Sequence, residues 1–411
     1  MTIVQVNRRR FLTATGVTAA AALAAGATQV DWPRLMSAAQ DNPLDPDAGV
    51  LVVVTLYGGN DGLNTVVPAG DSAYQNARSE LAYKPEEVLD VGEGLGLNPG
   101  LKGFKSLWDS GQLAILRGVG YPKPDHSHFR SMAIWQTASP ETSVPTGWLG
   151  RWLDATGDDP LRAVSVDPVL PPLLAGARTA AASLPVGGLT LPKGALGTAF
   201  QGLGAAQSGE GYWQARAARS VGDLHRAVAT LGPHASTKDA SGKDKGKAQP
   251  RKGELAAQLD VVAGLIEAGV PSRAYSVSLG GFDTHADERG TQQRLLTELD
   301  GALTPFVQRL AKTDRGKQAV VMVYSEFGRR VIANASQGTD HGTAGPMFVL
   351  GANVHGGFHG AEPSLTDLDD GDLKLTTDFR DVYATMVEDV LGTDAGPVLP
   401  GHSGRLTGLF A

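Results

Sequence analysis

The chain alternates short apolar runs with longer amphipathic stretches. The apolar runs predict strands at residues 50–56, 113–119, 274–279, 320–324 and 347–350. The first run, VLVVVTL, is continuously apolar and β-branched, which is typical of a central parallel strand buried on both faces. The amphipathic stretches predict helices at 74–81, 101–109, 131–137, 148–154, 212–231, 254–268, 287–310 and 378–391. Strands alternating with helices indicate an α/β fold.

Acidic and histidine side chains cluster where these predicted strands end or begin. Each cluster lies among glycines, and together they contain Asp61, Asp283, His285, Glu326, Asp340 and His341. The carboxyl ends of strands in open α/β sheets are where ligands bind. Asp, Glu and His are also residue types that bind divalent metals. Each cluster alone equally fits a turn or a helix cap, but three clusters at strand ends together favour a site.

Ser127 lies at the predicted start of the helix at 131–137. Its hydroxyl fits a helix N-cap, which is the commoner role of serine at such a position. It also fits a nucleophile, because the free N–H groups and the dipole of a helix start stabilise an anion. Two flanking histidines, His126 and His128, and the nearby Arg130 keep the second interpretation open.

The first 27 residues predict a targeting segment. Arg8, Arg9 and Arg10 precede Phe-Leu in a twin-arginine pattern, and a short Ala-rich apolar run leads to an A-x-A site, so we expect cleavage after Ala27. The apolar run is too short to span a membrane, so no stable span is expected after cleavage. The expected partner in export is the twin-arginine translocation machinery, and the expected location is extracellular, periplasmic or at the cell surface. That pathway carries folded proteins, which favours a bound cofactor.

Charge and cysteine content narrow the classes of function. The formal charge is −7, and it becomes −10 once the three arginines of residues 1–27 are removed. An acidic chain without a basic stripe is a poor partner for nucleic acid. The cysteine count is zero, which excludes disulfides, thiolate metal ligands and a cysteine nucleophile.

The remaining segments suggest one large domain. Residues 28–49 are polar and Pro-rich and predict a linker into a single domain at 50–411. Residues 160–206, rich in Pro, Ala and Gly, predict a peripheral insertion or a cap over the site. Residues 235–253 are charged without bulky apolar side chains and predict a flexible loop.

A set of motifs resembles the exported bacterial family catalogued as domain of unknown function 1501. The motifs are Gly58-Gly59-Asn60-Asp61-Gly62, Ser127-His128-Phe129-Arg130, Gly281-Phe282-Asp283-Thr284-His285, Ser325-Glu326-Phe327-Gly328-Arg329, Asp340-His341-Gly342 and Asp378-Phe379-Arg380-Asp381-Val382-Tyr383. That family is in turn similar to the alkaline phosphatase and sulfatase superfamily. The resemblance implies an α/β three-layer sandwich with a central, mostly parallel sheet.

The resemblance also implies a site. One or two divalent ions (zinc, manganese, magnesium or calcium) would bind Asp61, Asp283, His285, Glu326 and His341. Ser127 would be the nucleophile, and Arg130 or Arg329 would hold the non-bridging oxygens of the ester. Two departures matter. Phe327 stands where the superfamily has a histidine, so a single ion or an unusual site is implied. The closest match to a formylglycine motif, Ser143-Val144-Pro145-Thr146-Gly147, lacks its arginine, which disfavours a formylglycine sulfatase.

The leading expectation is therefore a metal-dependent hydrolase of phosphate or sulfate esters, acting on a small-molecule or glycan ester. The alternative is an exported binding or assembly protein that has lost catalysis on the same fold. A secreted α/β domain whose acids and histidines form only caps and turns is the third interpretation.

Overall fold

The computed structural model describes residues 28–29, 32–167, 170–184 and 254–410. The predicted signal segment, helix at 212–231 and charged loop at 235–253 lie outside the described residues. The strands are β1 (Thr28–Gln29), β2 (Val50–Tyr57), β3 (Val66–Val67), β4 (Leu89–Gly92), β5 (Leu95–Leu97), β6 (Leu113–Gly120), β7 (Ala163–Ser165), β8 (Ala182–Ser183), β9 (Ala274–Gly280), β10 (Ala319–Ser325), β11 (Arg329–Ala333), β12 (Thr339–His341), β13 (Gly345–Leu350), β14 (Gly357–His359), β15 (Leu368–Asp369), β16 (Asp372–Leu373) and β17 (Thr377–Asp378).

Helices separate these strands. The α-helices are α1 (Trp32–Asp41), α2 (Ser72–Ala77), α3 (Lys102–Asp109), α4 (His128–Thr137), α5 (Trp148–Thr156), α6 (Glu254–Ala268), α7 (Glu288–Leu310), α8 (Asp314–Lys317) and α9 (Phe379–Thr385), which continues as a π-helix over Met386–Val390. Short 3₁₀ turns lie at Gly62–Asn64, Pro85–Glu87, Pro160–Arg162 and Pro172–Leu174.

One large sheet runs through the molecule in the order β1-β8-β7-β9-β2-β10-β13-β6-β14, with β17 also paired to β6. Neighbouring strand residues point to opposite faces of a sheet. Val50, Val52 and Val54 accordingly join a core with α1, α3, α6 and α7. Leu51 and Val53 join a second core with α4, α5 and α9. The predicted α/β three-layer sandwich with a mostly parallel sheet is confirmed.

Strand β13 runs against its neighbours β10 and β6, whereas the other described pairs in this sheet are parallel. The start of β13 therefore lies at the same edge as the ends of β2, β9 and β10. The β11–β12 hairpin, which comes immediately before β13, brings Asp340 and His341 to that edge.

Two stretches differ from expectation. Within 28–49, predicted as a linker, α1 packs its buried Leu35 into the first core, and Leu44 is also buried there. Within 160–206, predicted as an insertion or cap, β7 and β8 extend the main sheet. The sequence did not reveal helix α1 or the strands β7 and β8. Short strands and a single amphipathic helix contribute few apolar positions to a sequence pattern, and the Pro and Gly residues around them favoured a loop. In the described part of the chain, no helix is long and apolar enough to cross a membrane.

Candidate metal centre

Three ligand-type side chains converge at the carboxyl edge of the sheet. They are His128 at the start of α4, Asp283 after β9, and His341 at the end of β12, and one donor atom from each lies within 4.8 Å of the others. His285, two residues after Asp283, joins them, with its Nε2 atom 3.0 Å from Asp283 Oδ1 and 2.9 Å from His341 Nε2. We call these four residues the His/Asp centre.

The spacing of the donor atoms fits a metal ion. Asp283 Oδ1 lies 3.4 Å from His128 Nε2 and 3.2 Å from His341 Nε2. Ligand atoms at about 2.0–2.1 Å from a tetrahedral zinc ion are themselves about 3.4 Å apart. His128 Nε2 is buried and makes no hydrogen bond to any described residue. A buried nitrogen without a partner is costly, and a metal ion would give it one.

Hydrogen bonds fix which nitrogen each histidine presents. His128 Nδ1 lies 2.8 Å from Glu326 Oε1, and His341 Nδ1 lies 2.7 Å from the carbonyl of His126. Each acceptor takes the Nδ1 hydrogen, so the Nε2 lone pair is left to face the centre. Burial lowers the pKa of His341, so its imidazole is neutral at pH 7, the form that binds metal.

Asp283 is held as a carboxylate. Burial opposes its ionisation, but the hydrogen bond and the charge of Arg329 outweigh burial and hold its pKa at about 2. Arg329 Nη2 lies 2.9 Å from Asp283 Oδ1. The same guanidinium donates to the carbonyls of Gly58, Gly59, Phe282 and Thr339 and is fully buried. Arg329, predicted to hold ester oxygens, is therefore a positioning residue, and each of its three nitrogens donates a hydrogen bond within the protein.

Glu326 contacts the centre through a hydrogen bond to His128. Its Oε1 accepts hydrogen bonds from His128 and from the backbone N–H of Gly58, which lies 2.9 Å away, and the side chain is buried. Gly58 has φ +117°, and a Cβ there would lie 2.5 Å from the backbone nitrogen of Asp283. Only glycine allows this close approach of the two loops. Glu326, predicted as a ligand, is not among the converging residues and instead accepts a hydrogen bond from the candidate ligand His128.

Asp61, also predicted as a ligand, is not among the four residues of the His/Asp centre. It is buried and ion-paired with Arg78, which in addition donates to the carbonyls of Arg330 and Val331. Burial raises the pKa of Asp61, but the charge of Arg78 and a hydrogen bond from Glu288 lower it overall. Burial and the charge of Asp61 raise the pKa of Glu288, so Glu288 carries the shared proton. This network ties the Asp61 loop to α7 and β11.

The other two predicted residues, Ser127 and Arg130, flank His128 in sequence. Ser127 is the N-cap of α4, yet its exposed side chain makes no capping hydrogen bond, so its hydroxyl is not committed to the helix. Arg130 is half-buried, and its Nη2 lies 3.4 Å from the carbonyl of Pro140. His128 is a candidate ligand that was not predicted from the sequence. Its position directly after Ser127, at a helix start facing the sheet edge, is the signal that could have identified it.

Replacing Glu326 should weaken metal binding without removing a ligand. In Glu326→Gln the charged acceptor of the His128 Nδ1 hydrogen is lost, and we expect zinc affinity to fall by about 10- to 100-fold. Competition with a chromophoric chelator measures this. The exposed Glu86→Gln is the matched control and should bind like the wild type. Equal affinity of the two variants would show that Glu326 does not orient His128.

Comparisons with solved structures find matches at low identity. The C-terminal periplasmic domain of EcEptC from Escherichia coli, crystallised with Zn, has a TM-score of 0.39 and 10% identity, with 89% of this chain and 93% of that chain covered. A protein in the alkaline phosphatase superfamily from Vibrio parahaemolyticus has a TM-score of 0.39 and 10% identity, covering 94% and 81%.

The phosphonate monoester hydrolase of Agrobacterium radiobacter has a TM-score of 0.34 and 11% identity, covering 88% and 78%. At these values none of the three assigns a role to a residue of this chain. No curated protein matches the sequence.

A sequence profile matches residues 205–410, which is half of the chain, and its description is "Protein of unknown function (DUF1501)". The matched range contains Asp283, His285, Glu326, Arg329 and His341, so most of the centre lies within it. The predicted family is confirmed, and the chain belongs to DUF1501.

Proposed function

We propose that the protein is an exported, metal-dependent hydrolase of phosphate or sulfate esters with Ser127 as its nucleophile. The observation that carries the proposal is the convergence of His128, Asp283 and His341, in which the buried His128 Nε2 makes no hydrogen bond to a described residue. The preceding residue, Ser127, has a hydroxyl that makes no capping hydrogen bond. Imidazole with one carboxylate is a donor set that suits zinc better than magnesium or calcium.

In this proposal His128, Asp283 and His341 hold one ion, and His285, whose side chain is 43% exposed, faces the open side. Bound there, the ion would offset negative charge on the ester oxygens and favour ionisation of the serine hydroxyl. Of the two predicted arginines, Arg130 is the one left to contact non-bridging oxygens, because Arg329 is buried and each of its nitrogens is hydrogen-bonded within the protein.

The chain's own part in the reaction is a two-step transfer. Ser127 Oγ loses its proton to solvent, to which it is open, and forms a bond to phosphorus or sulfur. The bond to the leaving alkoxide oxygen breaks, and that oxygen takes up a proton. Water then cleaves the serine ester, which restores the hydroxyl and releases phosphate or sulfate.

A non-catalytic metal or ligand-binding protein is the second candidate, and one observation favours it. His285 lies as close to Asp283 Oδ1 as the other histidines do. Four protein donors are enough to close a tetrahedral ion, and closed sites are structural rather than catalytic. Turnover separates the two candidates.

The test is the metal content and turnover of residues 28–411, purified without chelator. We expect about one equivalent of zinc in the wild type and hydrolysis of 4-nitrophenyl phosphate or 4-nitrophenyl sulfate. His128→Ala/His341→Ala should lose both, whereas the control His355→Ala/His359→Ala, which changes two histidines away from the centre, should lose neither. A wild type that binds no zinc or manganese after dialysis would refute the metal centre. Bound metal without turnover would support the second candidate.

A further inference from the structure

A cleft of about 350 Å³ opens beside the His/Asp centre. We call it the side cleft. Its wall includes Phe327, whose ring packs 4.9 Å from the ring of His128 and 4.7 Å from that of His341. It also includes His126, whose carbonyl accepts the Nδ1 hydrogen of His341. A molecule in the side cleft would therefore lie next to the ligands of the centre.

A short hairpin supplies carboxylates to the side cleft. β15 and β16 are joined by Asp370 and Gly371 alone, both with positive φ, 49° and 86°, as in the tight turns that fix hairpin register. Asp369 lies directly opposite Asp372 in this hairpin. Like charges in opposite positions are destabilising, so this arrangement is not explained by the stability of the hairpin.

The carboxylates differ in their partners. Asp372 is buried and lies 2.7 Å from His126 Nε2, which connects the hairpin to the segment that carries Ser127. Arg330 lies 3.6 Å from both Asp370 and Asp372. Asp369 is exposed and makes no ion pair with any described residue, so its oxygens are open to a ligand.

Two lysines, Lys123 and Lys374, add hydrogen-bond donors to the side cleft. Lys374 is ion-paired with Asp367, whereas Lys123 has no ion-pair partner in the described ranges. Lys123 also has φ +55°, which is uncommon for a residue with a side chain, and such backbone is concentrated at functional sites. Leu375, 37% exposed, adds an apolar surface.

We propose that the side cleft binds the sugar part of a sugar phosphate or sugar sulfate, an inference that rests on the proposed function. A neutral polyhydroxylated ring donates hydrogen bonds to carboxylates, accepts them from ammonium groups and presents C–H faces to Leu375. An acyl chain would strip water from charged groups without replacing their hydrogen bonds. A polyanion would meet three carboxylates. The ring hydroxyls satisfy both kinds of group without either cost.

The test compares two double variants. The cleft variant is Asp369→Ala/Lys123→Ala. The α3 control is Lys105→Ala/Asp109→Ala, which also removes one ammonium and one carboxylate, but from an exposed ion pair on α3. The probes are the 6-phosphates and 6-sulfates of glucose, galactose and glucosamine, beside 4-nitrophenyl phosphate and sulfate. We expect KM for at least one sugar ester to be about tenfold or more higher in the cleft variant, because one or two hydrogen bonds to the sugar are lost. KM for the nitrophenyl esters and metal content should not change.

Calorimetry with the same sugar esters on metal-loaded protein separates this inference from the proposed function, because binding needs no turnover. Sugar-ester binding without hydrolysis, weakened in the cleft variant alone, would support the side cleft and refute the hydrolase. Hydrolysis of nitrophenyl esters with no sugar ester bound would refute the side cleft and keep the hydrolase. A cleft variant that behaves like the α3 control would also overturn the inference.

Discussion

Ser127→Ala should lower kcat for the best ester substrate by at least about a thousandfold, the usual scale for loss of a nucleophile. The variant should keep its metal, because Ser127 is not among the four residues of the centre. It should also keep its stability, because the exposed side chain of Ser127 makes no capping hydrogen bond. Steady-state kinetics, metal analysis and the unfolding midpoint in urea check the three parts.

The matched control is Ser336→Ala, an exposed serine in the loop between β11 and β12, which should retain full activity. A Ser127→Ala protein that keeps kcat would show that Ser127 is not the nucleophile and that water attacks the ester directly. A variant that loses metal together with activity would place Ser127 among the ligands instead.

Arg329→Met should destabilise the metal-free protein by about 3 kcal/mol or more, because each buried carbonyl oxygen left without its donor costs about 1–3 kcal/mol. The substitution leaves the Asp283 carboxylate and four carbonyl oxygens without their shared donor. Unsatisfied acceptors in a buried position lose their hydration without compensation. Arg329→Lys should recover less than half of the loss, because an ammonium is a point charge and cannot replace a planar fork of donors.

Guanidinium unfolding in the presence of chelator measures this effect apart from metal binding. The control is the neighbouring Arg330→Met. Its guanidinium is partly exposed and lies 3.6 Å from the acids Asp370 and Asp372, so the substitution should change stability by less than about 0.5 kcal/mol. Equal midpoints for the two variants would mean that Arg329 does not hold the loops together.

The sequence predicted the sheet and the edge at which the centre lies, because continuous apolar runs and the residues that follow them are local signals. It predicted Asp283, His285 and His341 for the same reason. It did not predict the partners of Asp61, since Arg78 and Glu288 lie in other elements, and nothing local indicates that they meet in the interior.

The roles of Arg329 and Glu326 could not be predicted from local sequence either. Their residue types suit ester binding and metal ligation, but burial decides their roles, and burial depends on the packing of loops that are distant in sequence. The antiparallel direction of β13 could not be predicted either, because an apolar run does not reveal strand direction. Twin-arginine export and the signal cleavage site stay predictions.

The centre is assembled from distant parts of the chain. His341 donates a hydrogen bond to the carbonyl of His126, which lies 215 residues earlier in the chain. The N–H of Gly58 donates to Glu326, which lies 268 residues later. A growing polypeptide therefore cannot form the centre until most of it has been made and has packed. An unfolded chain offers only separate, weak donors, so its metal binding is slight. The zinc content of a preparation should thus report the fraction of molecules that have completed folding.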